Sequence, residues 1–142
     1  IFRDCDSRIS LREELAVKEW IDSGKTIHVM RDHPYHRIPY GNNSLGILGG
    51  MWGISLGKLN IKELIDKFML DNKEGSVGYG CDQTFLKEIY NKFINDKYVH
   101  DEFFEGNRFP IKRDDYRFVG ERIDENENPV GTDYLILKQV IG

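Results

Sequence analysis

Apolar side chains recur at helical spacing directly after Ser10. Ser10 and Glu13 have the spacing of a capping box, in which each residue hydrogen-bonds the backbone of the other. Gly24 follows as a residue type that commonly ends a helix. The pattern predicts a helix over residues 11–22, with its apolar positions at Leu11, Leu15, Val17, Trp20 and Ile21.

Two later segments show the same periodicity. Asn60 and Glu63 repeat the capping spacing ahead of residues 61–71, whose apolar positions share one helical face. Residues 81–94 form the third amphipathic segment, with Asp82 near its expected N-terminus. Both segments are therefore predicted to be helices.

Alternating or β-branched runs predict extended structure in the rest of the chain. Residues 26–32 have the composition of a strand, and residues 1–3 have that of a strand end. Residues 97–104 and 116–123 are predicted as short strands or extended segments. Residues 133–140 are predicted to close the chain as a strand or a docked tail.

Glycine and proline interrupt the pattern in three places. Residues 33–44 contain two prolines, a glycine and two asparagines and are predicted to form a loop. The closely spaced glycines of residues 45–57 are expected to break regular structure there, and residues 74–80 are predicted as a glycine-rich loop. The alternation of helices and strands predicts a single α/β domain over residues 1–142, with a mixed sheet flanked by helices.

The composition narrows the class of protein. With 142 residues, the chain is long enough for one domain with a modest core. Its 39% hydrophobic and 31% charged residues are typical of a soluble globular protein. The formal net charge of −4 argues against nucleic acid as a partner, because a nucleic-acid surface needs clustered excess Lys and Arg.

Neither a membrane span nor a cysteine framework is evident in the sequence. The longest nearly uncharged run, residues 47–57, is far shorter than the roughly 20 residues that a transmembrane helix needs. The two cysteines, Cys5 and Cys81, form no CxxC pattern. We therefore expect no transmembrane segment and a reducing, cytoplasmic location.

The sequence "RDCDSR" at residues 3–8 places Asp4 and Asp6 two positions apart. On an extended backbone such side chains point the same way, so the pair could share one Mg²⁺ or Mn²⁺ with waters and substrate phosphates. The flanking Arg3 and Arg8 would add positive charge near phosphate oxygens. The same pattern fits a solvated turn that precedes a capped helix, and the spacing leaves both interpretations open.

Several segments together resemble the majastridin-like glycosyltransferase family of bacteria and viruses. They are "FRDCDSRISLREELAVKEWIDSGKTIHVMRDHPYH", "ILGGMWG", "GCDQTFL", "VHD" and "FVGE", in this order over residues 2–121. The resemblance implies a GT-A-type nucleotide-sugar-binding α/β fold with a metal-binding Asp-x-Asp motif. It implies a metal-dependent enzyme that transfers a sugar from a nucleotide-diphosphate sugar to a glycan or another hydroxyl acceptor.

The resemblance also implies that this chain is the C-terminal part of such a domain. In the GT-A fold the Asp-x-Asp motif follows the half that binds the nucleotide base, whereas here it lies at residues 4–6. The metal motif and the acceptor side would then be present and the base-binding part missing. On this interpretation the chain by itself is expected to be inactive.

By the same resemblance, Asp4 and Asp6 would bind Mn²⁺ or Mg²⁺ on the diphosphate, with Asp6 as the direct ligand. His100, in "VHD", falls where related enzymes supply a late metal ligand. Each residue also has a plain structural explanation. A solvated turn would account for the aspartates, and a surface His–Asp pair would account for His100.

Three segments are implied to contact the donor sugar or its phosphates. Arg8 would assist the diphosphate, and Arg31 would contact a phosphate, with Asp32 or His33 on the donor sugar. The glycines of "LGGMWG" would let the backbone approach a sugar ring closely, and the indole would stack on that ring. Alternatively, the glycines would serve only a tight bend, and the indole would belong to the core. The residues concerned there are Gly49, Gly50 and Trp52.

The catalytic pair implied by the resemblance is Asp82 and Gln83. Asp82 would hydrogen-bond sugar hydroxyls or take a proton from the acceptor, and Gln83 would steady the oxocarbenium-like centre. Asp82 also fits a simple helix cap. The Asp-Gln dipeptide favours retention of configuration at the anomeric carbon, but it does not decide between retention and inversion.

Two alternatives to the transferase remain open at the level of sequence. One is a metal-dependent phosphohydrolase or nuclease that uses Asp4, Asp6, His33 and His100. The other is a truncated domain that folds but catalyses nothing. The donor sugar, the base, the acceptor and the oligomeric state are not determined by the sequence.

Overall fold

The protein is built on a four-stranded mixed sheet, seen in a computed structural model that describes residues 1–37, 45–73 and 78–142. The strands are β1 (Phe2–Arg3), β2 (Ile27–Arg31), β3 (Met51–Ile54) and β4 (Lys97–Asp101). Their order across the sheet is β1–β3–β2–β4. β3 runs antiparallel to β1 and β2, and β4 runs parallel to β2. The carboxyl ends of β1, β2 and β4 therefore lie at the same end of the strands.

Four helices accompany this sheet in the described ranges, which confirms the expectation of a mixed α/β protein. The three periodic segments form the first three helices, and the third ends slightly earlier than predicted. A short 3₁₀ turn over Leu56–Lys58 precedes the second helix. The helices are α1 (Leu11–Ser23), α2 (Ile61–Asp71), α3 (Cys81–Lys92) and α4 (Asp133–Ile141).

Local capping explains where α1 and α2 begin. The Ser10 side chain accepts a hydrogen bond from the Glu13 amide at 3.3 Å, and Asn60 does the same for Glu63 at 3.3 Å. Gly24 ends α1 with a φ of 68°, a left-handed conformation that glycine adopts without strain. These caps confirm the predicted starts of both helices.

Apolar side chains cover both faces of the sheet. On one face α1 packs through Ala16 onto Met30 and Met51. On the other face the larger core holds side chains from the sheet and from α3, with residues of α2 packed at its margin. That core comprises Ile27, Val29, Ile47, Trp52, Ile54, Leu86, Ile89, Tyr90 and Val99.

The expectation that glycine would break regular structure over residues 45–57 is wrong for β3. Residues Met51–Ile54 form a fully buried strand between β1 and β2. Gly53 belongs in this strand because Trp20 of α1 lies against it. A Cβ at Gly53 would lie 2.8 Å from Cζ3 of that indole. The glycine therefore makes room for close helix–sheet packing.

Two predictions for the C-terminal third need correction. Residues 116–123 form turns with isolated bridges, Ser7–Arg122 and Ile123–Pro129, instead of a strand. Residues 133–141 form the helix α4, which docks through the fully buried Leu137. The β-branched and aromatic residues of this segment favour strands intrinsically. The helix buries only Leu137, and it is joined to the residues after β2 by the hydrogen bond from His33 to the Asp133 carbonyl.

The predicted loops at 33–44 and 74–80 lie partly outside the described residues. Within the described ranges, no helix is long and apolar enough to cross a membrane.

Candidate functional site

The Asp-x-Asp motif forms a tight turn directly after β1. The Ser7 amide donates to the Asp4 carbonyl at 3.4 Å, and the Ser7 hydroxyl donates to the same oxygen at 3.1 Å. The extended backbone assumed for the motif is therefore wrong, because Ser7 closes the chain on itself. Asp4 and Asp6 are both exposed, as a solvent-facing ligand site requires.

The Asp4 carboxylate lies directly over Gly50. A Cβ at Gly50 would lie 2.5 Å and 2.6 Å from the two carboxylate oxygens of Asp4, so the side chain occupies the space that glycine leaves. Gly50 also has a φ of 75°, which L side chains rarely adopt. The close approach expected at Gly49–Gly50 is thus made by an acidic side chain of the first motif.

The first turn of α3 contacts the same glycine pair through Gln83 and Asp82. The Gln83 carbonyl oxygen accepts from the Gly49 amide at 2.7 Å, and the Gln83 amide group donates to the Ile47 carbonyl at 3.0 Å. One carboxylate oxygen of Asp82 lies 3.3 Å from the position of a Cβ on Gly49. Residues from three separate parts of the chain therefore converge on one turn.

Asp82 does not cap α3. The residue before the helix is Gly80, and no side chain hydrogen-bonds the N-terminal amides at that position. Asp82 is exposed in the first helical turn, where the partial positive charge of the helix end favours a carboxylate. The capping explanation for this residue is therefore not supported, and its carboxylate faces the Gly49–Gly50 turn.

Arg3 links the Gly49–Gly50 turn to α1. One of its guanidinium nitrogens donates to the Gly50 carbonyl at 2.5 Å, and the side chain pairs with Glu13 of α1 at 2.5 Å. Burial raises the pKa of Glu13, while the charge of Arg3 opposes that shift. The sequence predicts a phosphate contact for Arg3 and a cap for Glu13, and it carries no local signal for the pairing of these two residues across ten positions.

Asp6 and Arg8 point away from the glycine turn to other partners. Asp6 accepts from Arg122 at 3.2 Å, and Arg8 pairs with Glu127 at 2.9 Å. Both ion pairs are exposed, and exposed ion pairs contribute little to stability because solvent and salt screen them. These two ion pairs can therefore break at little cost. The structure does not place Asp6 or Arg8 at the Gly49–Gly50 turn.

Arg31 lies in a buried ion pair instead of an open phosphate site. Its side chain is fully buried and donates to Asp101 at 2.9 Å, to Glu105 at 3.2 Å and to the Gly46 carbonyl at 2.7 Å. These partners engage the guanidinium on all sides. The phosphate role implied for Arg31 is therefore not supported by its surroundings.

Asp32 and His33 are likewise buried in structural contacts. Asp32 accepts from Arg12, Arg113 and the Val119 amide, which saturates its carboxylate. His33 donates from Nε2 to the Asp133 carbonyl at 2.9 Å, which ties β2 to α4. Neither side chain is free to contact a donor sugar.

His100 lies at the opposite edge of the sheet from Asp4. Three interstrand steps of about 4.8 Å separate β1 from β4, or about 14 Å, whereas ligands of one Mg²⁺ lie about 2.1 Å from it. His100 instead donates from Nε2 to Glu19 at 2.8 Å and accepts at Nδ1 from His28 at 2.8 Å. It therefore cannot share a cation with the first motif.

Trp52 belongs to the hydrophobic core. Only 5% of its surface is exposed, and Phe2 stacks on its ring at a centroid distance of 4.4 Å. No face of the indole is open to a sugar ring. The core explanation of this residue is the one that its contacts support.

The convergent donor set consists of two carboxylates, Asp4 and Asp82, beside the Gly49–Gly50 turn. Hard divalent cations are commonly held by one or two carboxylates, with substrate phosphates and waters completing the shell. Within residues 1–37, 45–73 and 78–142, no group of three or more His, Cys, Asp or Glu side chains is arranged to hold a metal. Asp4 and Asp82 are therefore the carboxylates beside this turn that a cation could contact, with its other ligands supplied from outside the protein.

We compared the chain with protein-family models, curated proteins and solved structures. No protein-family model, no curated protein and no solved structure matched it.

Proposed function

We propose that the protein is a metal-dependent glycosyltransferase domain that acts on a nucleotide-diphosphate sugar. The observation that carries the proposal is the convergence of Asp4, Asp82 and Gln83 on the Gly49–Gly50 turn. The family resemblance implies Asp4 for the metal, together with Asp6 and His100, and it implies Asp82 and Gln83 for the transferred sugar. GT-A-type architecture and the glycan acceptor are parts of this proposal.

In this proposal Asp4 and Asp82 would hold Mn²⁺ or Mg²⁺ against the diphosphate. The cation would neutralise charge on the leaving diphosphate as the sugar–phosphate bond breaks. Asp82 also has the exposure to accept a hydrogen bond from a sugar hydroxyl or a proton from the acceptor. Gln83 acts as a positioning residue, because both ends of its amide already bond backbone groups.

The phosphohydrolase alternative gains no support from this arrangement. It requires His33 and His100 beside the aspartates, and both histidines are engaged elsewhere in the fold.

The first test is calorimetric titration of uridine and guanosine diphosphate with and without Mn²⁺. We expect Mn²⁺ to tighten binding of one nucleotide at least about tenfold, the effect of roughly 1.4 kcal/mol of additional interaction. Asp4→Asn and Asp82→Asn should each abolish the gain, since each removes one of two anionic ligands. Asp66→Asn, an exposed helical aspartate, is the matched control. A nucleotide affinity that is the same with and without Mn²⁺ would contradict the proposal.

A second test removes the space that Asp4 occupies. In Gly50→Ala the new Cβ overlaps the Asp4 carboxylate, which is the mobile end of an exposed side chain and must turn away. We expect the Mn²⁺ effect to disappear as it does in Asp4→Asn. The positive φ should also cost about 1–2 kcal/mol in urea unfolding.

Gly131→Ala separates these two consequences. Gly131 has a φ of 83° with no atom within 4 Å of a new Cβ, so its variant carries the backbone strain alone. Gly131→Ala should lower the free energy of unfolding about as much as Gly50→Ala does. Mn²⁺ should still tighten nucleotide binding in this variant. If Gly50→Ala also keeps the Mn²⁺ effect, the assigned position of Asp4 is wrong.

A further inference from the structure

A cavity of about 440 Å³ is lined by Arg12 of α1 and by residues 108–113, which follow β4. Its volume lies within the range of about 300–1,000 Å³ that is typical of small-molecule sites. The Gly49–Gly50 turn and its acidic neighbours, Asp4 and Asp82, are not part of the lining. The cavity is therefore a separate place on the molecule from the candidate site described above.

Within the described residues, the lining carries four cations and one carboxylate. The carboxylate is Glu102, and the cations are Arg12, Arg108, Lys112 and Arg113. Although the whole chain has a formal net charge of −4, charges farther away than about 8 Å are largely screened at physiological ionic strength. The local excess of positive charge therefore decides which ligands the cavity favours.

The two inner cations are balanced by acidic partners. Arg12 pairs with Asp32 at 2.8 Å and with Glu102 at 2.9 Å. Arg113 pairs with the same Asp32 at 2.8 Å. Glu102 Oε1 also accepts from the Phe109 amide at 3.0 Å, so the carboxylate of the lining is fully engaged. Two arginines and two acids thus form a network without net charge.

The two outer cations, Arg108 and Lys112, have no such compensation. Arg108 donates from Nη1 to the backbone carbonyls of Asp101 and Glu102, which are uncharged acceptors. Lys112 has no hydrogen-bond or ion-pair partner among the described residues. Both residues are exposed and line the cavity, so a ligand there can reach their charged groups.

Arg113 provides a second indication that the cavity favours negative charge. Burial lowers the pKa of its guanidinium and the neighbouring Arg12 lowers it further, whereas Asp32 and Glu102 act in the opposite direction. The net shift is downward, so the two carboxylates do not fully offset the loss of solvent around this cation. An anion in the cavity would add to their effect.

The cavity also offers apolar surface. Pro110, Ile111 and Ile141 contribute C–H groups to the lining. A ligand with about two negative charges and an apolar part would use both the outer cations and this surface. A phosphomonoester carries about 1.5 to 2 negative charges at pH 7, whereas a carboxylate carries a single charge.

We propose that this cavity binds a small phosphomonoester, with the phosphate group between Arg108 and Lys112 and the organic part against the apolar side. Nε and Nη2 of Arg108 have no partner among the described residues, so the guanidinium can present both to phosphate oxygens. Lys112 adds a second positive charge. This binding needs no divalent cation and does not rest on the proposed transferase.

The test follows backbone amide shifts in NMR spectra of the 142-residue chain during titration with phenyl phosphate, without divalent cations. We expect saturable shifts over residues 108–113 below about 10 mM ligand. Phenyl sulfate has the same ring with less negative charge and should bind at least about tenfold more weakly. The absence of saturable shifts at residues 108–113, or equal affinity for the two esters, would overturn the proposal.

Inorganic phosphate tests the contribution of the apolar side. It has the charge of the ester without the ring and should bind more weakly, because it buries no apolar surface. Equal affinity for inorganic phosphate would assign the cavity to the free anion and overturn the choice of an ester.

Lys112→Gln tests the contact in a variant that should fold normally, because Lys112 has no partner among the described residues. The dissociation constant for phenyl phosphate should rise about tenfold or more. Arg108→Gln should have at least the same effect, since it removes the fork of N–H donors. Lys87→Gln, at an exposed position of α3, is the matched control and should bind as the wild type does. Unchanged affinity in Lys112→Gln, or in a folded Arg108→Gln, would overturn the assigned contact.

Asp4→Asn separates this proposal from the proposed function. It should remove the Mn²⁺ effect on nucleotide binding and leave phenyl phosphate binding intact, and Lys112→Gln should do the reverse. Loss of phenyl phosphate binding in Asp4→Asn would place the phosphate at the Gly49–Gly50 turn and overturn the assignment to this cavity.

Discussion

Replacing Asp32 with alanine should destabilise the protein by about 3–5 kcal/mol, the cost of removing one partner from a buried ion pair. Its fully buried carboxylate accepts from Arg12 at 2.8 Å and 3.0 Å, from Arg113 at 2.8 Å and from the Val119 amide at 3.0 Å. The variant removes one shared acceptor from two guanidinium groups and an amide. Since a domain has about 5–15 kcal/mol in total, much of the folded population would be lost.

Urea unfolding followed by circular dichroism measures this loss. Asp22→Ala is the matched control, because Asp22 forms an exposed ion pair with Lys18 on α1 and should cost less than about 1 kcal/mol. A loss below about 1 kcal/mol in Asp32→Ala as well would mean that the network does not stabilise the fold.

Acidification from pH 7 to pH 5 should destabilise the protein by about 2 kcal/mol for each histidine that is buried in neutral form. Burial, with the neighbouring charge of His100, lowers the pKa of His28 to about 3. Burial also lowers the pKa of His36 to about 3. Between pH 6.5 and 3 the unfolded chain therefore binds protons that the folded chain does not, and stability falls as the pH falls.

The free energy of unfolding at pH 7, 6 and 5 tests this expectation. His28→Gln should remove its share, about 2 kcal/mol, of the loss between pH 7 and pH 5. Glu13 opposes the trend, because burial raises its pKa and the folded state then binds the proton more readily. A stability that is flat over this range in the wild type would show that the two histidines are not held neutral.

The helices were predictable because their signals are local. The spacing of apolar residues and the caps at Ser10 and Asn60 lie within a few residues of each helix start. The strand β3 and the helix α4 were mispredicted for the opposite reason. Gly53 suits a strand because Trp20 packs on it, and α4 contacts the rest of the fold through the buried Leu137 and the hydrogen bond from His33 to the Asp133 carbonyl.

The candidate site shows the same division. The residue types at Asp4, Gly49–Gly50 and Asp82–Gln83 were evident in the sequence, and the structure brings them together. Arg31, Asp32 and His100 have residue types equally suited to a site, yet the fold uses them in buried networks. Charge and spacing alone do not reveal whether a polar side chain has found a partner distant in sequence.

The sequence by itself determined the mixed α/β class, three helices and the acidic motifs. Those features depend on interactions between residues a few positions apart. The tertiary structure alone decided which carboxylates remain exposed, which glycines make room for a side chain and which cations, such as Lys112, have no acidic partner among the described residues. These outcomes depend on burial and on partners far along the chain, such as Arg3 with Gly50 across 47 positions.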